Sequence, residues 1–225
     1  MTADQQSPTR SVDSLKLNLG CGPVQPEGWI NVDGSMRAKL ASRLSPIDSL
    51  LTKLRIFPPT EFNRKTRILD LRKRLPFDDN SVDAIYAGEL WEHFEIGDAR
   101  RLTHECYRVL KTGGVLRVCV PDGVEFWRTY LEKFDLEMGK SRQMRDSTEL
   151  ANHVGMYFRD ICTRRIWFGS LGHVHKWQYD ELQLIDLFES AGFSSVGRRR
   201  FHESQIEDVA SVERSDFLIV EGLKQ

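Results

Sequence analysis

"LNLGCGPVQPEGWINVD", residues 17–33, sets two glycines around a cysteine between two apolar runs and closes on an aspartate. Apolar strand, tight turn and acidic residue follow one another as they do in a nucleotide-binding turn. A dinucleotide fingerprint, however, needs a third glycine three positions after the second, and position 25 is Gln25. It also needs a helix whose N-terminus faces a pyrophosphate, with the acidic residue about 20 positions on. Here Pro23 and Pro26 leave little room for a helix, and Asp33 follows Gly22 by only 11 positions. A ligand with a ribose and no pyrophosphate fits the stretch better.

Outward from this turn, "LKLNL" (15–19) and "WINVD" (29–33) read as short strands bounded by glycine and proline. "TRILDL" (66–71) and "VDAIYAG" (82–88) form a second pair around the turn-rich "PFDDNS". "DARRLTHECYRVLKTGG" (98–114) reads as a helix capped by Asp98 and ended by Gly113, with Leu102, Cys106, Val109 and Leu110 on its apolar face. The strand "VLRVCVPD" (115–122), the helix "DELQLIDLFESAGF" (180–193, ending at Gly192) and the strand "SDFLIVEGL" (215–223) follow. Strands alternating with helices imply a mostly parallel sheet covered on both faces.

The bulk properties narrow the function. The chain has 225 residues, enough for one well-buried domain, and is 40% apolar and 29% charged, as in an ordinary globule. A net charge of -1 argues against a surface built for nucleic acid and points to a small-molecule substrate. Cys21, Cys106, Cys119 and Cys162 show no C-x-x-C spacing, so reduced, buried thiols in a cytoplasmic protein are expected. The first residues lack an apolar core, and no run approaches bilayer-spanning length. Composition does not set an oligomeric state.

In order, "LNLGCG", "VD", "LPFDDNSVDAIYAGELWEHF", "ECYRVLKTGGVLRVCVPD" and "ELQLIDLFESAGF" resemble the class I S-adenosylmethionine-dependent methyltransferases, in particular the small type-11-like group. The resemblance runs from about Leu15 to the C-terminus. It implies a Rossmann-like α/β fold with a seven-stranded, mostly parallel sheet and one antiparallel strand, and S-adenosylmethionine as cofactor. It also implies that Gly20 and Gly22, flanking Cys21, admit the methionine part of the cofactor, where a side chain would block it. Asp33 would accept from both ribose hydroxyls, Asp70 and Leu71 would touch adenine, and Ala87, Gly88 and Leu90 would lie beneath the methionine. The family's usual acid two positions before the first glycine is here Asn18, and its third glycine is Val24. Because a parallel crossover normally takes a dozen or more residues, the first crossover helix is expected to be shortened or absent. Residues 1–14 read as a leader, and 15–225 as a single domain with an insertion at 34–65 and a substrate-side segment at 123–178.

Two histidines are candidates for chemistry. His93 in "ELWEHF" follows the fourth strand at its C-terminal end, where open parallel sheets bind ligands. "GSLGHVHKWQYD" (169–180) holds His173 and His175, and resembles the H-K/R-W-x-Y-D pattern of subfamily members. The H-x-H spacing suggests metal, but the sequence offers no obvious third ligand, so no metal site is expected. With an imidazole pKa near neutrality, His175 is the first choice for general base and His93 the second. Capping or packing is the bland alternative for each.

Residues 36–57 place Leu40, Leu44, Ile47, Leu51 and Leu54 at helical spacing among basic residues, interrupted by Pro46. Such a helix can touch a membrane surface peripherally or close a pocket, although packing against its own domain is the commoner use. The expected activity is methyl transfer to an oxygen, less favourably a nitrogen, of a small polar metabolite or sugar. An RNA or protein acceptor, hinted at by the arginine runs at 142–145, 164–165 and 198–200, and a non-catalytic cofactor-binding module are the rivals.

Overall fold

The computed structural model describes residues 14–43, 45–55, 65–158 and 174–225. His173, Cys162, Leu44, Arg164, Arg165 and nearly all of the leader lie outside the described residues. Seven strands form one sheet: β1 Lys16–Leu19, β2 Trp29–Asp33, β3 Arg67–Ile68, β4 Val82–Gly88, β5 Leu110–Val120, β6 Ser194–Arg198 and β7 Leu218–Leu223. Their spatial order is β3-β2-β1-β4-β5-β7-β6. The first five run parallel, and β7 is antiparallel to both of its neighbours. This is the seven-stranded α/β arrangement expected, with β7 as the reversed strand. The helices are α1 Met36–Arg43, α2 Ser45–Lys53, α3 Ile96–Val109, α4 Gly123–Gly139, α5 Thr148–Met156 and α6 Glu181–Ser190. Among the described residues no helix is long and apolar enough to cross a membrane.

The crossover from β1 to β2 contains no helix, as its length and prolines dictate. Its polar groups are satisfied by side chains instead. Asn18 is fully buried and donates through Nδ2 to the Val24 carbonyl (2.9 Å) and to Asn31 Oδ1 (2.9 Å). Gln25 donates to the Gly22 carbonyl, and the Cys21 N–H bonds the Val32 carbonyl. The residue that departs from the family's acidic pattern therefore ties the turn together.

Alternation along the central strands sends Ile85 and Ala87 to one face and Ala84 and Tyr86 to the other. The first face packs on α3 and α6 through Leu102, Cys106, Val109, Leu184 and Phe188. The second is covered, among the described residues, by Ile206, Val209 and Val212 from the run between β6 and β7, which holds one 3-10 turn, Val209–Ser211. On that face Arg117 of β5 is fully buried. It donates from Nε to Glu213 Oε1 (2.8 Å), from Nη1 to Glu221 Oε2 (3.1 Å), and to the carbonyls of Arg200 and Glu203.

Several boundaries differ from the sequence reading. The helix expected over 98–114 begins at Ile96 and ends at Val109, and Asp98 pairs with Arg101 (2.7 Å) instead of capping. Residues 110–114 belong to β5, drawn into the sheet by mutual bonds of Gly113 and Gly114 with Lys224. "TRILDL" contributes only Arg67–Ile68, because β3 is an edge strand with β2 as its one partner. The stripe on 36–57 is split into α1 and α2. Ala38 and Ala41 are buried, whereas Ile47 and Leu54 are about half exposed, so the apolar side of α2 is not packed away among the described residues.

Removing one partner of a buried ion cluster leaves uncompensated charge, which typically costs about 3–5 kcal/mol. Arg117→Met should lower the unfolding free energy by about that amount in urea titrations. Replacing Glu213 and Glu221 together with Arg117 by apolar residues should recover much of it, and a single variant as stable as wild type would disprove this account.

Candidate active site

Aligned pairing brings the C-terminal ends of β1, β2 and β4 to one edge of the sheet, with Leu19 opposite both Val32 and Ala87. Gly20 and Gly22 follow β1 in left-handed backbone, φ +66° and +52°. A Cβ on Gly20 would lie 3.0 Å from Leu90 Cδ1, so only glycine lets the turn sit against the segment after β4. Asp33, at the end of β2, is buried, and each of its oxygens accepts one backbone N–H: Oδ2 from Gly22 (3.1 Å) and Oδ1 from Ser35 (2.7 Å). Cys21 is fully buried, and desolvation followed by the nearby Asp33 charge pushes its thiol up to about 12. Ala87 and Gly88 are buried in β4.

The other expected adenine-side residues separate. Leu71 is buried in the core, whereas Asp70 is exposed and both its oxygens accept from the Arg72 guanidinium (2.9 and 3.1 Å), which holds its carboxyl below the usual range. Arg214 was missed by the sequence reading. It reaches the glycine turn from the run before β7, with Nη2 3.4 Å from the Gly20 carbonyl and Nη1 3.1 Å from where a Gly22 Cβ would stand. The Arg214 Nε is buried and has no hydrogen-bond partner among the described residues.

Beyond Leu90 a single 3-10 turn, Trp91–His93, ends against the segment that carries His175. The carbonyl of Glu92 accepts from the N–H groups of Lys176 (2.8 Å) and Trp177 (3.2 Å). Farther along, Tyr179 bridges Asp122, and Gln178 Nε2 bonds the Pro121 carbonyl. Residues 174–179 thus run across the ends of β4 and β5. His93 Nδ1 lies 3.2 Å from the Val174 carbonyl, and the His93 and His175 rings meet edge to face with centroids 5.0 Å apart. The two sequence-predicted histidines are neighbours.

Between them lies a residue that sequence reasoning passed over. Glu92 is 1% exposed, its Oε1 is 3.9 Å from His175 Nε2, and neither carboxylate oxygen has a hydrogen-bond partner among the described residues. Desolvation, helped by the charge of Glu89, pushes its carboxyl up to about 8. Where the sequence offered no obvious third ligand, Glu92, His93 and His175 place one ligand atom each within 4.8 Å of one another.

Because the Glu92 carboxyl titrates higher in the folded chain than in the unfolded one, the folded state holds a proton that the unfolded state has lost, so stability should fall as pH rises from the ordinary carboxylate range to about 8. Glu92→Gln is neutral throughout and should flatten that decline, leaving the variant more stable than wild type at pH 8 in chelator-treated protein. Urea titrations at pH 5 and pH 8 measure both, and equal slopes for the two proteins would refute the buried-carboxyl reading.

Residues 17–118 match the family model described as a methyltransferase domain. No curated protein sequence matches the chain. Among solved structures, a SAM-dependent methyltransferase from Archaeoglobus fulgidus superimposes with a TM-score of 0.51 at 16% identity, covering 94% of this chain and 86% of that one. One from Methanosarcina mazei gives a TM-score of 0.50 at 14% identity, covering 95% and 93%. Residues 17–118, which carry the glycine turn and the first five strands, thus match a methyltransferase domain, and the seven-stranded sheet has the fold of these S-adenosylmethionine-dependent methyltransferases.

Proposed function

We propose that the enzyme transfers a methyl group to an oxygen, and less favourably a nitrogen, of a small polar metabolite or sugar. The observation that carries this reading is the pairing of a left-handed glycine turn with a buried aspartate at the strand ends. Asp33 gives one acceptor position per oxygen to the backbone and keeps another on each, which fits the two hydroxyls of a ribose. Gly20, Cys21 and Gly22 would lie along the methionine part, with Ala87, Gly88 and Leu90 beneath it. The unpartnered Nε of Arg214 beside the turn suits a carboxylate, as at the methionine end. Asp70 and Leu71 keep their adenine-side assignment by resemblance, Asp70 through its backbone because its carboxylate is engaged by Arg72.

When bound, S-adenosylmethionine supplies a methyl already activated on a positively charged sulfur. The protein's tasks are then to align the acceptor and exclude water. A hydroxyl holds its proton far above neutral pH, so a base speeds the step. His175 takes that proton on its imidazole, with His93 as the second choice, and Glu92 Oε1 lies 3.9 Å from its Nε2. The net charge of -1 favours a small acceptor over nucleic acid. A groove of about 560 Å³ lined by Trp127, Leu131, Gln178 and Gln183 supports assigning 123–178 to the acceptor side. Free, buried Cys21, Cys106 and Cys119 support a cytoplasmic location.

Asp33→Ala removes two charge-assisted hydrogen bonds and should weaken cofactor binding by about 2–4 kcal/mol in titration calorimetry. Unchanged affinity would remove Asp33 from the ribose site.

His175→Gln keeps hydrogen bonding and loses basicity, so turnover should drop by roughly 10²–10⁴-fold with cofactor affinity little changed. The wild-type rate should decline at acidic pH, where an imidazole base is protonated. Turnover within a few-fold of wild type would move the base elsewhere or indicate an acceptor that needs none.

A further inference from the structure

Glu92, His93 and His175 lie at the end of β4, on the same edge of the sheet as the glycine turn, and their role need not end with a proton. We propose that these three side chains form a binding site for a divalent transition-metal ion. The inference goes beyond the methyl-transfer reading and stands on its own geometry.

The donor set comes first. One carboxylate and two imidazoles suit zinc, iron(II) and similar ions, whereas calcium and magnesium seek all-oxygen shells. The carboxylate is also the unusual member. Buried polar groups are almost always hydrogen-bonded, yet both oxygens of Glu92 lack a hydrogen-bond donor among the described residues. A buried anion without donors is completed by a proton or by a cation, and a doubly charged ion offers the stronger field.

The supports come second. Metal-ligating histidines usually donate their other ring N–H to a carbonyl or carboxylate, which fixes the tautomer. His93 Nδ1, 3.2 Å from the Val174 carbonyl, is placed to do so, which leaves the lone pair on Nε2. Glu92 and His93 sit on one 3-10 turn, and the bonds from Lys176 and Trp177 to the Glu92 carbonyl lock the His175 segment onto it. The scaffold is backbone, not loop chance.

The distances come third. Bonds of about 2.1 Å at tetrahedral angles put ligand atoms about 3.4 Å apart. The 3.9 Å between Glu92 Oε1 and His175 Nε2 closes to that with a small side-chain rotation. The His175 side chain is 18% exposed, so the site faces solvent on one side and leaves coordination positions for water or an acceptor oxygen. An ion on His175 takes the lone pair that the base needs, so loading and base action exclude each other.

The full-length chain, stripped with chelator, is titrated with cobalt(II) followed by visible absorption, and then with zinc(II) in competition. One equivalent of each should bind, with zinc displacing cobalt. Glu92→Gln, His93→Asn and His175→Gln should each weaken zinc binding at least tenfold, while His104→Gln and His202→Gln, at exposed positions, should leave it unchanged. Melting curves check that each variant folds, and Glu92→Gln, expected to be the more stable protein, keeps the test decisive if a histidine variant fails. Absence of stoichiometric binding, or binding indifferent to all three substitutions, overturns the site. Cofactor calorimetry on the same preparations separates the two readings: intact cofactor binding without zinc removes the metal site alone, and zinc binding without cofactor binding strikes the methyltransferase reading alone.

Discussion

A parallel crossover too short for a helix must satisfy its own backbone, and the arrangement of this site follows from how that is done. Asn18 spends its amide on Val24 and Asn31, so the turn after β1 is held from beneath by the strand that feeds it. With the turn fixed, Gly22 can donate to Asp33 while Gly20 lies against Leu90, and three strand ends meet within one short span. An acidic residue in place of Asn18 could accept but not donate, and neither the Val24 carbonyl nor Asn31 Oδ1 would then have its donor. The departure from the family pattern is thus the condition for the short crossover.

Elements bounded by their own punctuation were legible. β2 and β4 lie where glycine, proline and turn residues fence off apolar runs, and they match the sequence reading to the residue. α6 was readable for a similar reason, with the Asp180 side chain accepting the Gln183 N–H and Gly192 following in left-handed backbone. What required tertiary partners was not. Asp98 looks like a cap, but an arginine one turn on takes its side chain. Lys111 to Gly114 look like a helix end, yet Lys224 of the last strand recruits them to the sheet. α4 escaped notice because its apolar residues are not gathered into a buried stripe: Val124, Trp127, Leu131 and Phe134 are all substantially exposed.

The site divides in the same way. Glycines and an aspartate near one another in sequence could be read as a unit, because local geometry alone makes the turn. His93 and His175 could be singled out but not joined, since the contact depends on where residues 174–177 lie against the 3-10 turn. Glu92 was invisible in sequence for a sharper reason. A glutamate between tryptophan and histidine reads as solvated, and only the fold, which buries it beside His175 of a distant segment, takes its carboxylate out of water.

On the far face the energetic logic runs the other way. A buried arginine with two buried glutamates is a poor source of net stability, because desolvation consumes most of the Coulomb attraction. Arg117 nevertheless also donates to the carbonyls of Arg200 and Glu203, and Glu213 accepts the His202 N–H, so the cluster pins a run whose only regular element among the described residues is a single 3-10 turn. That run delivers Arg214 to the glycine turn. It also delivers Asp208 to Lys16 and to the Trp29 indole, tying it back to β1 and β2. Apolar residues of equal volume could fill the same space but could not specify which carbonyls the run presents to the sheet. The cluster's contribution is therefore best understood as positional: it fixes a loop against the sheet so that one guanidinium arrives at the glycine turn.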